Sequence, residues 1–209
     1  MKKLTQLDCA AFTQALASRE PVPGGGGAAA LAAALAAALC SMAGNFTVGK
    51  KKFEAVEEDI RRILAESETL RLRLLELVEE DALAFTPMTE AYAIPKEDPS
   101  RQAALEAAAM SACRPPLEMV ECCGRIVALL EEMLEKGNRL LITDVGCGAL
   151  LCRAAMECSA MNVYVNTSTL RDRETAARLE SRVEQLLATW LPRAERVAAS
   201  VTAYIRKEA

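Results

Sequence analysis

Asp81 follows Leu77 by four residues and Val78 by three, and precedes Phe85 by four, so a carboxylate falls on the apolar stripe of a helix. A carboxyl facing the core has its pKa raised by burial, which is how a general acid is made near neutral pH. The same placement also describes a structural acid paired with a buried arginine or with helix-end amides. Asp144 begins a second row, since Asp144, Gly148, Cys152, Ala155, Ser159, Asn162 and Asn166 follow steps of three or four. That face is small and polar, and Asn162 and Asn166 can both donate to and accept from an amide-like heterocycle. Equally, Asp144 can be a plain first-turn acid favoured by the helix dipole, and the asparagines can form an interhelical network.

Two further segments can hold a ligand without reacting with it. The run Pro23-Gly24-Gly25-Gly26-Gly27 stands immediately before a helix, where unpaired amides and the helix dipole bind an anion or polarise a carbonyl. A flexible helix entry would use the same glycines. Lys50, Lys51 and Lys52 can hold an anionic substrate tail, or can simply sit where the C-terminal end of a helix dipole favours cations. Gly44 to Lys51 nearly matches a phosphate loop, but Lys51 stands where Ser or Thr should hold magnesium, and the segment ends a helix instead of opening one. Nucleotide hydrolysis is therefore not expected.

Long helices must position these residues. The first is expected over residues 4 to 19, ending at Glu20-Pro21-Val22-Pro23, and the second runs through the Ala/Leu block to about Thr47. Its small faces let neighbouring helices approach closely. A third is expected from Phe53 to about Ala93, bent by Pro87, and a fourth from Ser100 to Lys136, interrupted near Pro115-Pro116 and stopped by Gly137-Asn138. Thr143 is expected to cap a fifth helix reaching about Ser159, while Val163-Tyr164-Val165 has strand propensity. The last helix spans about Asp172 to Lys207. No stretch reads as an interdomain linker, so residues 1–209 are expected to form one all-α domain, a bundle packed through Ala/Gly-rich faces.

Composition agrees. Hydrophobic residues are 52% of the chain and aromatics only 4%, a balance that favours closely packed helices over sheets. With 25 basic and 29 acidic side chains the net charge is −4, which gives no general case for nucleic-acid binding. There is no His and no Cys-x-x-Cys pair, so no metal site is expected. The eight cysteines read as reduced thiols in a cytoplasmic protein, because the chain opens with Met-Lys-Lys-Leu-Thr-Gln-Leu-Asp and shows no signal peptide. No charge occurs from Pro21 to Gly49, long enough for a membrane span, but the segment is mostly Gly and Ala and reads better as a buried helix.

Taken in order, Pro23-Gly24-Gly25-Gly26, Gly49-Lys50-Lys51-Lys52-Phe53, Asp81-Ala82-Leu83-Ala84-Phe85, Pro95-Lys96, Pro116-Leu117, Gly137-Asn138, Thr143-Asp144 and Asn162-Val163-Tyr164-Val165-Asn166 cover nearly the whole chain. Together they resemble the formiminotetrahydrofolate cyclodeaminase and methenyltetrahydrofolate cyclohydrolase family, which includes the C-terminal domain of formiminotransferase-cyclodeaminase. The resemblance implies an all-helical homodimer acting on a tetrahydrofolate derivative, with no prosthetic group. It implies Asp81 or Asp144 as the proton-handling acid, the Gly24 to Gly26 amides, Thr143, Asn162 and Asn166 as ligand contacts, and Lys50 to Lys52 as the attraction for the glutamate tail. Cyclodeamination of 5-formiminotetrahydrofolate is the leading expectation. Cyclohydrolysis, or folate binding without catalysis, is the alternative. The chain departs from the family pattern at Gly27, where Ser is usual, and at Thr143, which keeps the hydroxyl of the usual Ser. No formiminotransferase partner domain is seen in the sequence, so the chain is expected to act alone.

Overall fold

The computed structural model describes residues 3–207; the first two and last two residues lie outside it. Six α-helices account for most of the described chain: α1 Cys9–Leu16, α2 Gly25–Asn45, α3 Glu57–Ala93, α4 Ser100–Lys136, α5 Ile142–Thr167 and α6 Arg173–Arg206. Short 3-10 turns precede α1, α3 and α5, and no strand occurs among the described residues.

The boundaries follow local chemistry. Asp8 accepts the Ala11 amide at 2.8 Å, so the expected first helix divides into a turn at Leu4–Gln6 and a capped α1. Lys51–Val56 forms a 3-10 turn, which delays α3 to Glu57. Both α3 and α4 continue through their prolines; Pro115 and Pro116 are buried inside α4 and do not interrupt it. Thr143 is not a cap. Asn138 caps the Arg139–Leu141 turn by accepting the Leu140 amide, and α5 starts at Ile142. The β-prone Val163-Tyr164-Val165 is helical, because Val163 is packed with Ala160 and Val183 in a tertiary contact that overrides its propensity.

Consecutive long helices run antiparallel. Gly44 lies against Leu64 and Gly26 against Asp81 across α2 and α3, Arg73 pairs with Glu118 at 2.7 Å across α3 and α4, and Gly146 meets Val201 across α5 and α6. Helix α4 is central, touching α2, α3, α5 and α6, and α2 lies between α3 and α5. One large buried cluster draws on all six helices, including Phe12, Ala30, Ile60, Met119, Val145 and Leu186. Where backbones approach most closely, glycine is needed. A methyl on Gly124 would stand 2.5 Å from the Trp190 indole nitrogen, and one on Gly44 2.8 Å from Leu64.

All eight cysteines are free thiols. Burial pushes the Cys40 and Cys113 thiols up to about 11, which leaves them unreactive packing groups. Helix α2 is long and apolar enough to cross a membrane, yet 56% of its most apolar stretch is enclosed by the other helices.

Candidate active site

A difference in helix length leaves a cavity at one end of the bundle. Helix α2 starts at Gly25 beside Asp81, but α3 continues a further twelve residues to Ala93. The bundle therefore lacks one helix at this end, and the gap is a cavity of about 340 Å³, within the range of small-molecule sites. Gly24, Gly25 and Gly26 form its floor. Asp81, Ala84, Phe85, Met88 and Tyr92 line one wall from α3, while Asn162, Val165 and Asn166 line the other from α5.

Asp81 supplies the only carboxylate among these lining residues, and no Lys or Arg lines the cavity. Its contact with the loop depends on Gly26. A Cβ at that position would fall 2.6 Å from the Asp81 carboxyl carbon, so any side chain there competes with the acid for space. Ala28 makes the first backbone bond of the helix, to the Gly24 carbonyl at 3.0 Å, which leaves the amides of Gly25, Gly26 and Gly27 without intrahelical partners. Burial raises the Asp81 pKa, and the Gly27 backbone amide offsets part of that shift. Desolvation wins over the helix N-terminus, and the acid is held above the ordinary carboxylate range.

The asparagines are fixed by their own amide nitrogens. Asn162 donates to the Cys158 carbonyl at 2.8 Å and Asn166 to the Ala112 carbonyl at 2.9 Å. Each keeps its side-chain oxygen for a donor in the cavity. Phe85 and Tyr92 are exposed by 44% and 55%, two aromatic faces available to a planar ligand.

The structure brings Asp81, Gly24, Gly25, Gly26, Asn162 and Asn166 together and leaves the other sequence candidates elsewhere. Pro23 is buried behind the loop, 3.5 Å from where a Gly27 side chain would begin. Thr143 and Asp144 stand at the opposite end of α5, eighteen residues or roughly 27 Å of helix from Asn162. Lys50, Lys51 and Lys52 lie beyond the opposite end of α2, with Lys50 5.7 Å from the Phe46 ring centroid. Of the row from Asp144 to Asn166, only Asn162 and Asn166 line the pocket. The row's middle members Gly148, Cys152, Ala155 and Ser159 are buried, Gly148 against Leu130 and Ser159 against Met119. Sequence reasoning missed Met88, Tyr92 and Val165, whose only signal was an aromatic or apolar residue near a helix end. At Gly27 an added Cβ would make only ordinary contacts, 3.5 Å to Pro23 and 3.8 Å to Val78, so a serine fits there. Among the described residues no group of three His, Cys, Asp or Glu side chains could hold a metal ion.

Fold and site together define an all-helical protein with a small-molecule pocket built around one half-buried acid and one open helix N-terminus. The chain belongs to the formiminotransferase-cyclodeaminase family, whose sequence model matches residues 8–185. It is 40% identical over 181 residues to a methenyltetrahydrofolate cyclohydrolase of Methylorubrum extorquens, covering 85% of this chain and 87% of that protein. It is 29% identical to the mouse formimidoyltransferase-cyclodeaminase, matching 94% of this chain but only 37% of the longer mouse protein. Its fold matches a crystal structure of formiminotetrahydrofolate cyclodeaminase from Thermotoga maritima with a TM-score of 0.81 and 29% identity, over 94% of this chain and 98% of that one.

Proposed function

We propose that this chain is an enzyme of folate one-carbon metabolism that works at the carbon between N5 and N10 of tetrahydrofolate, converting the 5-formimino derivative to 5,10-methenyltetrahydrofolate and ammonia. The observation that carries the reading is Asp81, a carboxyl raised by burial and held against the unpaired amides of the glycine loop. Such an acid can both take and return a proton near neutral pH.

N10 attacks the carbon of the protonated formimino group and forms an N5–C–N10 aminal. The Asp81 carboxylate takes the N10 proton, then delivers it to the amino group on the same carbon. The C–N bond to that amino group breaks, ammonia leaves, and the N5–C–N10 amidinium of the methenyl product remains. One proton moves from N10 to ammonia, and the positive charge of the substrate passes to the product. The side-chain oxygens of Asn162 and Asn166 accept from the pterin amide and amino groups, and Phe85 and Tyr92 cover the ring faces.

A second reading is supported by the 40% identity to the cyclohydrolase. There Asp81 takes a proton from water as it adds to the methenyl carbon and passes it to N5 as that C–N bond opens, and the remaining hydroxyl proton is released to solvent as the formyl carbonyl forms on N10. The same site serves both reactions because both pass through a tetrahedral carbon flanked by N5 and N10. In either case we propose one helical domain working as a cytoplasmic homodimer, consistent with its free thiols and with the exposed Leu35 of α2 and Leu150 and Met161 of α5.

The test is turnover by the purified chain, offering 5-formiminotetrahydrofolate and 5,10-methenyltetrahydrofolate separately while following methenyl absorbance and ammonia. Methenyl formation with stoichiometric ammonia is expected. Enzyme-dependent loss of methenyl without ammonia assigns the hydrolase instead, and no reaction with either substrate refutes the folate reading.

A further inference from the structure

Helix α4 carries two adjacent prolines in its interior and stays helical through both. A proline has no backbone N–H, so the carbonyl four residues before it loses the donor that the helix would otherwise supply. Pro115 frees the Ser111 carbonyl in this way, and Pro116 frees that of Ala112. The two carbonyls are placed differently. Ser111 is exposed, so solvent can serve its oxygen, whereas Ala112 is buried and lines the cavity. A buried carbonyl without a helix donor needs another partner. It has one in the Asn166 side-chain nitrogen, which donates to it from α5 at 2.9 Å.

We propose that Pro116 is a positioning residue of the site: by withholding an N–H from Ala112 it reserves that carbonyl for Asn166, and so fixes which end of the Asn166 amide is left for the ligand. A carbonyl only accepts, so the bond holds the amide nitrogen at Ala112 and leaves the oxygen as the free end. The cavity is thereby given an acceptor, and the ligand group matched to Asn166 is an N–H donor of the lactam or ring-amino kind. The inference rests on the folate reading for the molecule that carries this donor, and not for the coupling of Pro116 to Asn166.

Asn162 shows what the proline adds. Its nitrogen donates at 2.8 Å to the Cys158 carbonyl, four residues earlier in the same helix. In an α-helix that carbonyl already accepts the backbone amide of Asn162, so the side-chain bond is a second, shared one. Ala112 has no helix donor to share, and its bond to Asn166 joins two helices across 54 residues of sequence. The end of α5 is held from the other side as well. Next to Asn166, the Thr167 hydroxyl donates to Glu180 of α6 at 2.7 Å, and the Arg173 guanidinium donates to the Thr167 carbonyl at 2.9 Å. The backbone beside Asn166 is thus tied to α6 and its side chain to α4. Replacing Pro116 by Ala restores a helix donor to Ala112 and divides the carbonyl between two partners, which loosens only the side-chain tie.

Hydrogen exchange tests the coupling without any ligand. The chain has four asparagines, so isotope labelling of this residue type gives four side-chain amides to follow, and Asn166→Ala assigns the one in question. In the wild type the Asn166 amide should exchange about fivefold more slowly than that of exposed Asn45. Pro116→Ala should remove most of that protection, while Pro115→Ala, which returns a donor only to Ser111, should keep it. Turnover supplies the second readout. Pro116→Ala should raise KM for the folate substrate by about three- to tenfold and leave kcat within about twofold of wild type, because Asn166 holds the ligand and moves no proton. Pro115→Ala should leave both constants unchanged, and in an Asn166→Ala background the Pro116 substitution should have no further effect on KM. Protection of Asn166 that survives Pro116→Ala, or equal KM changes in the two proline variants, overturns the proposal. Wild-type exchange at Asn166 as fast as at Asn45 overturns it too, and that comparison holds even where Pro116→Ala fails to fold. If the exchange rates behave as expected while wild-type protein turns over neither folate, the folate reading fails and the role of Pro116 stands.

Discussion

The two ends of α2 carry opposite chemistry. At its N-terminus the loop glycines, a half-buried acid and two asparagines converge on a cavity with no lining cation. Beyond its C-terminus three exposed lysines follow a positive-φ glycine, Gly49, and the cavity chemistry is absent. In the sequence the glycine run and the lysine run are separated by a single helix and read as halves of one site. In space they are separated by the whole of that helix, roughly 30 Å. Helix geometry puts residues near in sequence far apart when they bracket an element, and brings Gly26 and Asp81, distant in sequence, into contact.

Substitutions at the two ends should therefore act on different kinetic quantities. The largest expected effect is at the cavity end. Gly26→Ala inserts a Cβ where the Asp81 carboxyl sits, and the displaced acid should lower kcat by about 10²-fold, with an overpacking cost of about 1–3 kcal/mol seen in chemical denaturation. Unchanged kcat would mean that the contact between loop and acid is irrelevant to turnover. The smaller effect is at the lysine end. Replacing Lys50, Lys51 and Lys52 by Ala should leave kcat within about twofold of wild type and shift KM for an anionic substrate only at low salt, because exposed charges roughly 30 Å from the cavity are screened. A fall in kcat as large as that of Gly26→Ala would erase the distinction between the ends.

The helical fold was legible because the Ala/Leu block and the three- and four-residue spacing of Ile60, Ile63, Leu70, Leu74 and Leu77 admit little else, and all five are buried. Asp81 was legible for the same reason, as an acid out of place on that stripe. Phe85 was read only as a continuation of the stripe. It is pocket wall because α2 ends before reaching it, and relative helix lengths in three dimensions are not written in any local pattern. The row from Asp144 to Asn166 misled for the converse reason. Small residues line pockets and also seat close helix contacts, and at Gly148, with Leu130 at 3.2 Å and the Ala36 carbonyl at 3.4 Å, close packing prevailed. The caps were misassigned at α5 because Asn138, five residues before Thr143, captures an amide first and winds a 3-10 turn between them.

The central claim is that Asp81 is the proton carrier, and the most direct measurement is the pH dependence of kcat for the wild type and for Asp81→Asn on whichever folate substrate the wild type converts. Burial raises the Asp81 pKa, so the protonated form persists above the ordinary carboxylate range and ionises as pH rises. The wild type should show a limb in that region, and Asp81→Asn should lose it together with about 10²- to 10⁴-fold in kcat. A variant that keeps both the limb and the rate would contradict the account.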